Sequence, residues 1–301
     1  GVTRFGLPKH AIANAPSPIP PMDEQQAIAR FLDFKTAQID ALIAKKKILL
    51  EKLAEKRTAL ISHAVTKGLD PSVPMRDSGV EWLGEIPAHW DIWKVTHGFG
   101  KIGSGTTPKS DNPLFYDGEI PWVTTSELRE SVIFDTAQKV TGEAVAMHSA
   151  LKVYPAGSLA IAMYGATIGR LGILGVDATF NQACCVFSDP LVFDTQFVYY
   201  WLWMRRPILI SLSNGGGQPN LSQDDLKKLW IPIPDLNEQR GIVRFLDIKT
   251  SVVDEQVKKV EEVIARLSEY RSALITNAVT GKIDVRDFPI PDPVTKELCD
   301  A

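Results

Sequence analysis

The amino-acid sequence predicts an α+β fold in which one mixed α/β block is flanked by two long helices that form an antiparallel coiled coil. Three observations predict it. A helical segment at residues 24–70 returns at 238–284 with a constant offset, 238 − 24 = 284 − 70 = 214, and no gap. Both copies carry apolar residues at heptad spacing, which is typical of a coiled-coil seam. The residues between them mix short β-like runs with Gly- and Pro-rich turns, which indicates mixed secondary structure.

The two copies match in sequence as well as in pattern. Arg30-Phe31-Leu32-Asp33 recurs as Arg244-Phe245-Leu246-Asp247, and Ala64-Val65-Thr66 recurs as Ala278-Val279-Thr280. Neither copy contains an internal proline. Each predicts a helix of about 45 residues, or roughly 65 Å at 1.5 Å per residue.

The first helix is predicted to begin at Asp23, as an N-cap with Gln26 three residues on. Gly68 and Gly281 stand where helix C-termini are expected. The predicted seam of the first copy is Ile39, Leu42, Lys46, Leu49, Leu53, Lys56 and Leu60. The predicted seam of the second copy is Val253, Val260, Val263, Leu267, Tyr270 and Leu274. Lys46 and Lys56 predict that the two helices do not make equivalent contacts.

A pair of heptad helices is also compatible with plain dimerisation or packing helices. Repetition at both ends of one block favours pairing of the two helices within the chain. An antiparallel pairing is then geometrically easy.

Composition shifts predict the domain boundaries. A proline-rich tail at 1–20 precedes a first spacer helix at 21–76, the central block at 77–235, a second spacer helix at 236–284 and a tail at 285–301. The turn-rich, aromatic run 77–90 is interpreted as an entry segment. Strands are predicted at 120–124, 158–163 and 184–187, with helices at 195–204 and from Ser222 to Leu229.

Bulk composition excludes several classes of protein. With 45% apolar and 23% charged residues, the chain is ordinary for a globular protein. No apolar run approaches about 18 residues, so no membrane span is expected, and the N-terminal residues do not form a signal peptide. The three cysteines form no C-x-x-C pair and the five histidines show no ligand spacing, which argues against a disulfide scaffold or a metal site and suits a reducing cytoplasm.

Two motifs that could indicate cofactor chemistry are not convincing. Gly98-x-Gly100-x-x-Gly103 matches a dinucleotide-binding pattern, but Ser104 to Pro108 cannot open the helix that should follow it. Asp111-Asn112-Pro113-Leu114-Phe115 is similar to the adenine-binding motif of amino-methyltransferases but lacks the second proline. Methyltransferase activity of this chain is therefore not expected, and no nuclease centre is visible.

Three loops carry candidate DNA-binding residues, although Gly-rich turns between strands often need no ligand. Hydroxyls, Lys and Arg suit phosphate oxygens, and Asn, Gln and Arg suit base edges. The first loop, 101–110, supplies Lys101, Ser104, Thr106, Thr107, Lys109 and Ser110. The second, 164–170 with the following 181–182, supplies Tyr164, Thr167, Arg170, Asn181 and Gln182. The third, 214–220, supplies Gln218 and Asn220.

The chain resembles the specificity (S, HsdS) subunits of type I restriction–modification systems over nearly its whole length. The resemblance rests on the paired P-I-P-x-x-x-E-Q-x-x-I-x-x-F-L-D signatures at 18–33 and 232–247, on the run 77–90 and on the twin Ala-Val-Thr helix ends. Such subunits hold two target-recognition domains, each followed by a conserved helix, and the two helices pair antiparallel as a spacer. This chain has one complete target-recognition domain, at about 77–235, and only the closing tail of another at 1–20. It is therefore expected to be a half-sized subunit or a C-terminal portion.

The resemblance implies a non-catalytic DNA-binding role and a set of partners. The partners are double-stranded DNA, modification subunits that methylate adenine, and a restriction subunit; S-adenosylmethionine, ATP and Mg are expected only on those partner subunits. Self-association to restore two recognition domains is a further hypothesis.

The charge balance predicts how strongly the isolated chain binds DNA. The net charge is −3, and residues 91–230 hold 11 Lys and Arg against 13 Asp and Glu. Binding by the isolated chain is therefore expected to be weak and salt-sensitive. Two alternatives remain open: a structural coiled-coil adaptor whose central domain binds protein, and an enzyme whose catalytic part lies upstream.

Overall fold

The computed structural model describes residues 18–212 and 220–289 and divides the chain into two compact units. One unit combines residues up to 54 with those from 253 onward; the other spans 55–252. The structure is a mixture of helices and strands, which confirms the α+β prediction. The predicted domain boundaries at 20, 76, 235 and 284 remain a prediction.

Two long helices confirm the predicted repeat. Helix α1 spans Met22–Lys67 and helix α6 spans Leu236–Val279. Helix α1 begins at Met22 and Asp23 lies inside its first turn, so the prediction that Asp23 is the N-cap was wrong. Gly68 and Gly281 have φ angles of +74° and +72°, in the left-handed region that glycine adopts freely at helix ends.

In the first unit the two helices pack antiparallel. The start of α1 meets the end of α6 in a shared apolar core, and Asp40 receives two hydrogen bonds from Arg271, at 2.9 and 3.2 Å. The core residues are Ile28, Phe31, Ile39, Leu274, Ala278 and Val285. Because early residues of one helix face late residues of the other, the predicted antiparallel pairing is confirmed here.

The seam follows a different heptad phase from the predicted one. Ile39, Lys46 and Leu53 lie on it, but Leu42 and Leu49 are exposed and their places are taken by Ile43 and Leu50. In the second helix Val253, Val260, Leu267 and Leu274 are on the seam, whereas Val263 and Tyr270 are exposed. Lys56 is also exposed. Its half-buried neighbour Arg57 belongs to the second unit, where its guanidinium lies 5.1 Å from the centre of the Trp203 ring. The predicted steps ran three then four residues; the observed steps run four then three, and both phases share every seventh residue.

The second unit is built around a five-stranded sheet in the order β4-β11-β8-β9-β6. These strands span Phe99–Gly103 (β4), Ser131–Ile133 (β6), Leu159–Ala162 (β8), Leu171–Leu174 (β9) and Cys184–Pro190 (β11). β11 runs antiparallel to both β4 and β8, and β6 runs parallel to β9.

Smaller sheets surround this one. β1 (Met75–Asp77) pairs with β2 (Glu85–Pro87), and β3 (Asp91–Lys94) pairs with β12 (Trp230–Ile233). The third group joins β5 (Tyr116–Val123), β7 (Lys139–Val140) and β10 (Thr179–Phe180). Two of the remaining short helices are α2 (Val95–Gly98) and α3 (Gly142–Met147).

Helix α4 spans Thr195–Leu212 and covers the sheet with a fully buried face that includes Phe197, Trp201 and Leu202. It was predicted to end at Met204, before Pro207, and this was wrong. A proline within a helix removes one backbone hydrogen bond, but Leu209 beyond it is buried in the same core, and that burial helps to offset the loss. Helix α5 (Gln223–Lys227) has the predicted Ser222 cap, in a capping box with Asp225.

The same core includes residues from the end of α1 and the start of α6. Ile61, Ala64 and Val65 belong to it, as do Ile242, Val243 and Leu246. These residues anchor the sheets of the second unit on that unit's own segments of the repeated helix.

Candidate DNA interface

Several loops of the second unit leave the five-stranded sheet at one edge. Because β11 is antiparallel to its neighbours, its start lies beside the ends of β4 and β8. The starts of β9 and β6 lie at the same edge, since the Ala162 amide donates to Arg170 and the Glu130 amide donates to Leu171. This edge therefore brings together the first loop, the second loop, residues 181–183 and the turn 126–130.

The first candidate loop is shorter than predicted. Lys101 is not in it: the residue lies on strand β4, and its Nζ sits 4.6 Å from the centre of the Tyr154 ring. The Gly98 to Gly103 run also lies largely on this strand, so it does not lead from a strand into a helix as a nucleotide loop does. The loop proper begins at Ser104, whose carbonyl accepts a hydrogen bond from the Tyr154 hydroxyl at 3.1 Å.

Backbone contacts tie this loop to strand β10. The Thr106 amide donates to Phe180 at 3.0 Å, and its carbonyl accepts from the Trp122 indole at 3.2 Å. At Gly105, the residue before Thr106, an added Cβ would lie 1.6 Å from the Phe180 carbonyl oxygen. The close approach at Gly105 holds the loop against the chain before residue 181.

Side chains then join the first loop to residues 181–182. The Thr107 hydroxyl donates to Gln182 Oε1 at 2.7 Å, and both residues are exposed. The Asn181 side chain accepts from the Ala183 amide at 3.1 Å. Asn181 is therefore used to shape the turn, whereas Thr107 and Gln182 form an exposed polar pair. Lys109 and Ser110 are exposed in the turn that follows.

The second loop starts from Tyr164 and contains a 3₁₀ turn at Gly165–Thr167. The Thr167 carbonyl accepts from the Arg170 amide at 3.0 Å, and Arg170 is exposed. Tyr164 is half-buried and pairs in an isolated bridge with Asn220. Asn220 thus lies beside the second loop, and the predicted site residue Gln218 lies outside the described residues.

Sequence reasoning missed two arginines at this edge, Arg129 and Arg206. Arg129 is exposed in the turn 126–130, and its Nε donates to the Ser126 carbonyl at 3.0 Å. Arg206 on α4 forms an ion pair with Glu130. Arg206 was hidden because α4 was predicted to end before it; its adjacency to Arg205 after a helical run was the available signal.

The candidate edge combines exposed hydroxyl, amide and guanidinium groups but holds no buried catalytic constellation among the residues named. Burial raises the pKa of Tyr154 to about 12, so this hydroxyl stays protonated beside Lys101. Such a surface can donate to phosphates and read base edges.

A family model for the type I restriction modification DNA specificity domain matches residues 89–264. The match includes the five-stranded sheet and every loop at the edge. The chain belongs to this DNA specificity domain family.

Curated specificity subunits are similar in sequence to most of this chain. The specificity subunit of the Escherichia coli type I restriction enzyme EcoR124I/EcoR124II is 26% identical over 284 residues, covering 90% of this chain and 61% of its own length. The Methanocaldococcus jannaschii MjaIX specificity subunit is 26% identical over 192 residues, which cover 62% of this chain and 43% of its own length. The chain thus spans less than two thirds of these curated specificity subunits.

A solved structure shows the same fold. The crystal structure of the HsdS subunit from Thermoanaerobacter tengcongensis aligns with a TM-score of 0.53 at 17% identity, covering 94% of this chain and 65% of the other. This likeness supports the α+β architecture with two long helices. Among the described residues, no helix has both the length and the apolar character needed to cross a membrane.

Proposed function

We propose that this chain is a non-catalytic DNA-recognition and scaffold subunit of a type I restriction–modification complex. It reads one half-site of a split double-stranded target and directs adenine methylation and restriction by partner subunits. Modification subunits supply S-adenosylmethionine chemistry and the restriction subunit uses ATP and Mg, so this chain needs no cofactor of its own.

The observation that carries the proposal is the convergence of loops at one sheet edge in a chain of the DNA specificity family. Exposed Lys109 is suited to phosphates, exposed Arg129 and Arg170 are suited to phosphates or to base edges, and exposed Gln182 is suited to a base edge. Loops on a rigid sheet can differ in sequence without disturbing the core. The edge therefore offers both affinity and sequence readout.

Partner subunits are needed because this unit is not strongly basic. The 11 Lys and Arg of residues 91–230 are outnumbered by 13 Asp and Glu. Phosphate neutralisation dominates DNA affinity, so the modification subunits are expected to contribute most of the positive charge. Sequence discrimination then comes from this chain, and affinity from the complex.

The experiment reconstitutes the chain with its modification subunits and maps which adenines become methylated in genomic DNA. A base-substitution series in the mapped motif is then scored by methylation. Substitutions at Gln182 and Arg170 should relax the preference at particular positions of one half-site. An adaptor whose central domain binds protein would give no sequence dependence that changes with residues 91–230.

We also propose that two molecules of this chain associate. Ile19 in the first copy is 86% exposed, whereas its counterpart Ile233, on strand β12, is 8% exposed. Gln25 donates to the Pro20 carbonyl at 2.8 Å as Gln239 does to Pro234 at 2.9 Å, yet Gln25 is exposed and Gln239 is buried. The first copy thus presents an uncovered face where the second is covered, and a second molecule would cover it. Sedimentation that shows only monomer, with and without modification subunits, would contradict this; Ile19→Lys should weaken any dimer seen.

A further inference from the structure

Arg206 on helix α4 connects two loops of the candidate interface. Its Nε donates to the Gly169 carbonyl at 2.7 Å, and its Nη2 donates to the Glu130 carboxylate. Gly169 belongs to the second loop, and Glu130 ends the turn 126–130. A single guanidinium thus joins two segments that are distant in sequence.

One residue in each segment, Glu130 or Gly169, has a left-handed backbone conformation. Glu130 has φ +55° and Gly169 has φ +75°, in the left-handed region that is uncommon for a residue such as glutamate. The Glu130 amide donates to Leu171 at 2.9 Å, and the Glu130 carbonyl accepts from the Tyr199 hydroxyl at 3.2 Å. A Cβ at Gly169 would lie 2.8 Å from Arg206 Cγ. The surroundings therefore fix both loops against Arg206.

An exposed arginine adjoins each held residue. Arg129 precedes Glu130 and Arg170 follows Gly169, and both side chains are exposed. Arg206 itself is partly buried, and the Glu130 carboxylate offsets its charge. Two of its donors already serve a carbonyl and a carboxylate, so it is less available to DNA than its two neighbours are.

We propose that Arg206 is a positioning residue that holds Arg129 and Arg170 at a fixed separation, so that the two loops engage DNA as one unit. The proposal rests on the proposed function and adds a residue that sets its geometry. The planar fork of arginine can serve the carbonyl and the carboxylate together, which the single ammonium of lysine does not reproduce.

Three variants separate this role from a direct phosphate contact: Arg206→Lys, Arg206→Ala and Glu130→Gln. Each is assembled with the modification subunits and tested against a duplex carrying the mapped target and a scrambled duplex. A phosphate contact predicts that Arg206→Lys keeps most affinity and that Glu130→Gln tightens binding, because it removes a negative charge and releases the arginine. A positioning role predicts that all three lose discrimination.

The expected result is a loss of about tenfold in the ratio of target to scrambled binding for each variant, the scale of a lost bidentate base contact. Affinity for the scrambled duplex should change little for Arg206→Lys. Arg286→Lys and Asp284→Asn are matched controls, because Arg286 and Asp284 form an exposed Arg–carboxylate pair in the other unit. Tighter target binding by Glu130→Gln, or unchanged discrimination by Arg206→Lys, would overturn the proposal.

Hydrogen exchange of the free full chain provides a readout that does not depend on DNA. Arg206→Lys and Glu130→Gln should both speed exchange of the Glu130 and Arg170 amides, which donate to Leu171 and Thr167. Unchanged exchange at both amides would overturn the positioning role. If the wild-type complex failed to distinguish the two duplexes, the proposed function would be wrong, and the exchange result would still decide whether Arg206 couples the loops.

Discussion

The indole of Trp90 donates a hydrogen bond to the Glu238 carboxylate, with 3.1 Å between Nε1 and Oε1. Trp90 is fully buried, and the other carboxylate oxygen of Glu238 lies 2.9 Å from His89 Nε2. Glu238 belongs to the second copy of the E-Q signature, so a residue of the repeated helix satisfies a buried polar atom of the second unit, residues 55–252, here called the recognition unit. This contact gives the repeated sequence a structural role beyond its heptads.

Glu238→Ala should destabilise the recognition unit by about 1–3 kcal/mol, the cost of leaving a buried donor without its partner. The matched control is Glu24→Ala, since Glu24 occupies the same position in the first copy. That change should stay within about 0.5 kcal/mol, as surface substitutions usually do. Urea unfolding followed by tryptophan fluorescence measures both. Equal effects of the two substitutions would show that the Trp90 contact contributes nothing measurable.

Gly105 should not tolerate a side chain. A Cβ there would lie 1.6 Å from the Phe180 carbonyl oxygen, which is backbone and cannot simply rotate away. Gly105→Ala should therefore destabilise the unit by about 1–3 kcal/mol, the usual cost of overpacking. Gly142→Ala is the control, because a Cβ at Gly142 meets nothing within 4 Å. Thermal unfolding measures both variants. Equal stability of Gly105→Ala and Gly142→Ala would contradict the close packing of the first loop on β10.

Replacing Lys46 by an apolar residue should stabilise the first unit. It lies half-buried on the seam, and its counterpart in the second copy is the buried Val260. A polar residue on a coiled-coil seam costs stability, so Lys46→Leu should add about 0.5–1.5 kcal/mol to the free energy of unfolding. Lys45→Leu, at an exposed neighbouring position, should add little. The measurement is the melting temperature at a concentration where sedimentation shows both variants in the same association state.

The two long helices were predictable because their signals are local. Heptad spacing and the glycine ends lie within each copy, and the constant offset is a direct comparison of the two copies. The phase of the seam was not, since Leu42 and Ile43 are both apolar and adjacent. Only the partner helix decides which of them faces inward, and this information is not local to either copy.

The candidate edge depended more strongly on non-local structure. Lys101 was predicted to lie in the first loop, but pairing with β11 extends the strand through Gly103. Asn181 was proposed to bind DNA, yet its side chain accepts from the Ala183 amide within its own turn. Arg206 was missed because the helix was predicted to end at Met204, whereas α4 continues through Pro207 to Leu212 with Leu209 buried. Which loops meet follows from strand order, which no single loop encodes.

Alkaline pH should weaken the recognition unit through two buried thiols. Burial raises the pKa of Cys185 to about 12 from a usual value of 9.0, and it raises the pKa of Cys184 as well. A raised folded-state pKa gives a contribution that is fully present below the unfolded pKa and is lost as pH rises through the folded pKa. Stability should therefore be flat below about pH 9 and fall above it, by up to about 1.4 kcal/mol per pH unit for each thiol.

The thiol prediction is checked by urea unfolding between pH 7 and pH 11. Cys184→Ala and Cys185→Ala should each reduce the alkaline fall in the free energy of unfolding by the contribution of one thiol, up to about 1.4 kcal/mol per pH unit, whatever their effect at pH 7. A slope that is the same in wild type and both variants would assign the decline to other groups, such as Tyr154, whose pKa burial also raises.

The salt dependence of DNA binding should report which basic residues of the edge contact phosphates. Each lost phosphate contact lowers the slope of log K against log salt by about 0.9 for duplex DNA. Lys109→Ala and Arg170→Ala should each lower the slope by about one and weaken target and scrambled duplexes alike if they contact only phosphate. Gln182→Ala should leave the slope unchanged and reduce only target binding, because an amide releases no counterion. Lys139→Ala is the control, since Lys139 on β7 already pairs with Asp135 at 3.1 Å. A slope that stays constant in both Lys109→Ala and Arg170→Ala would place the phosphate contacts on the modification subunits alone and leave the sheet edge with base readout only.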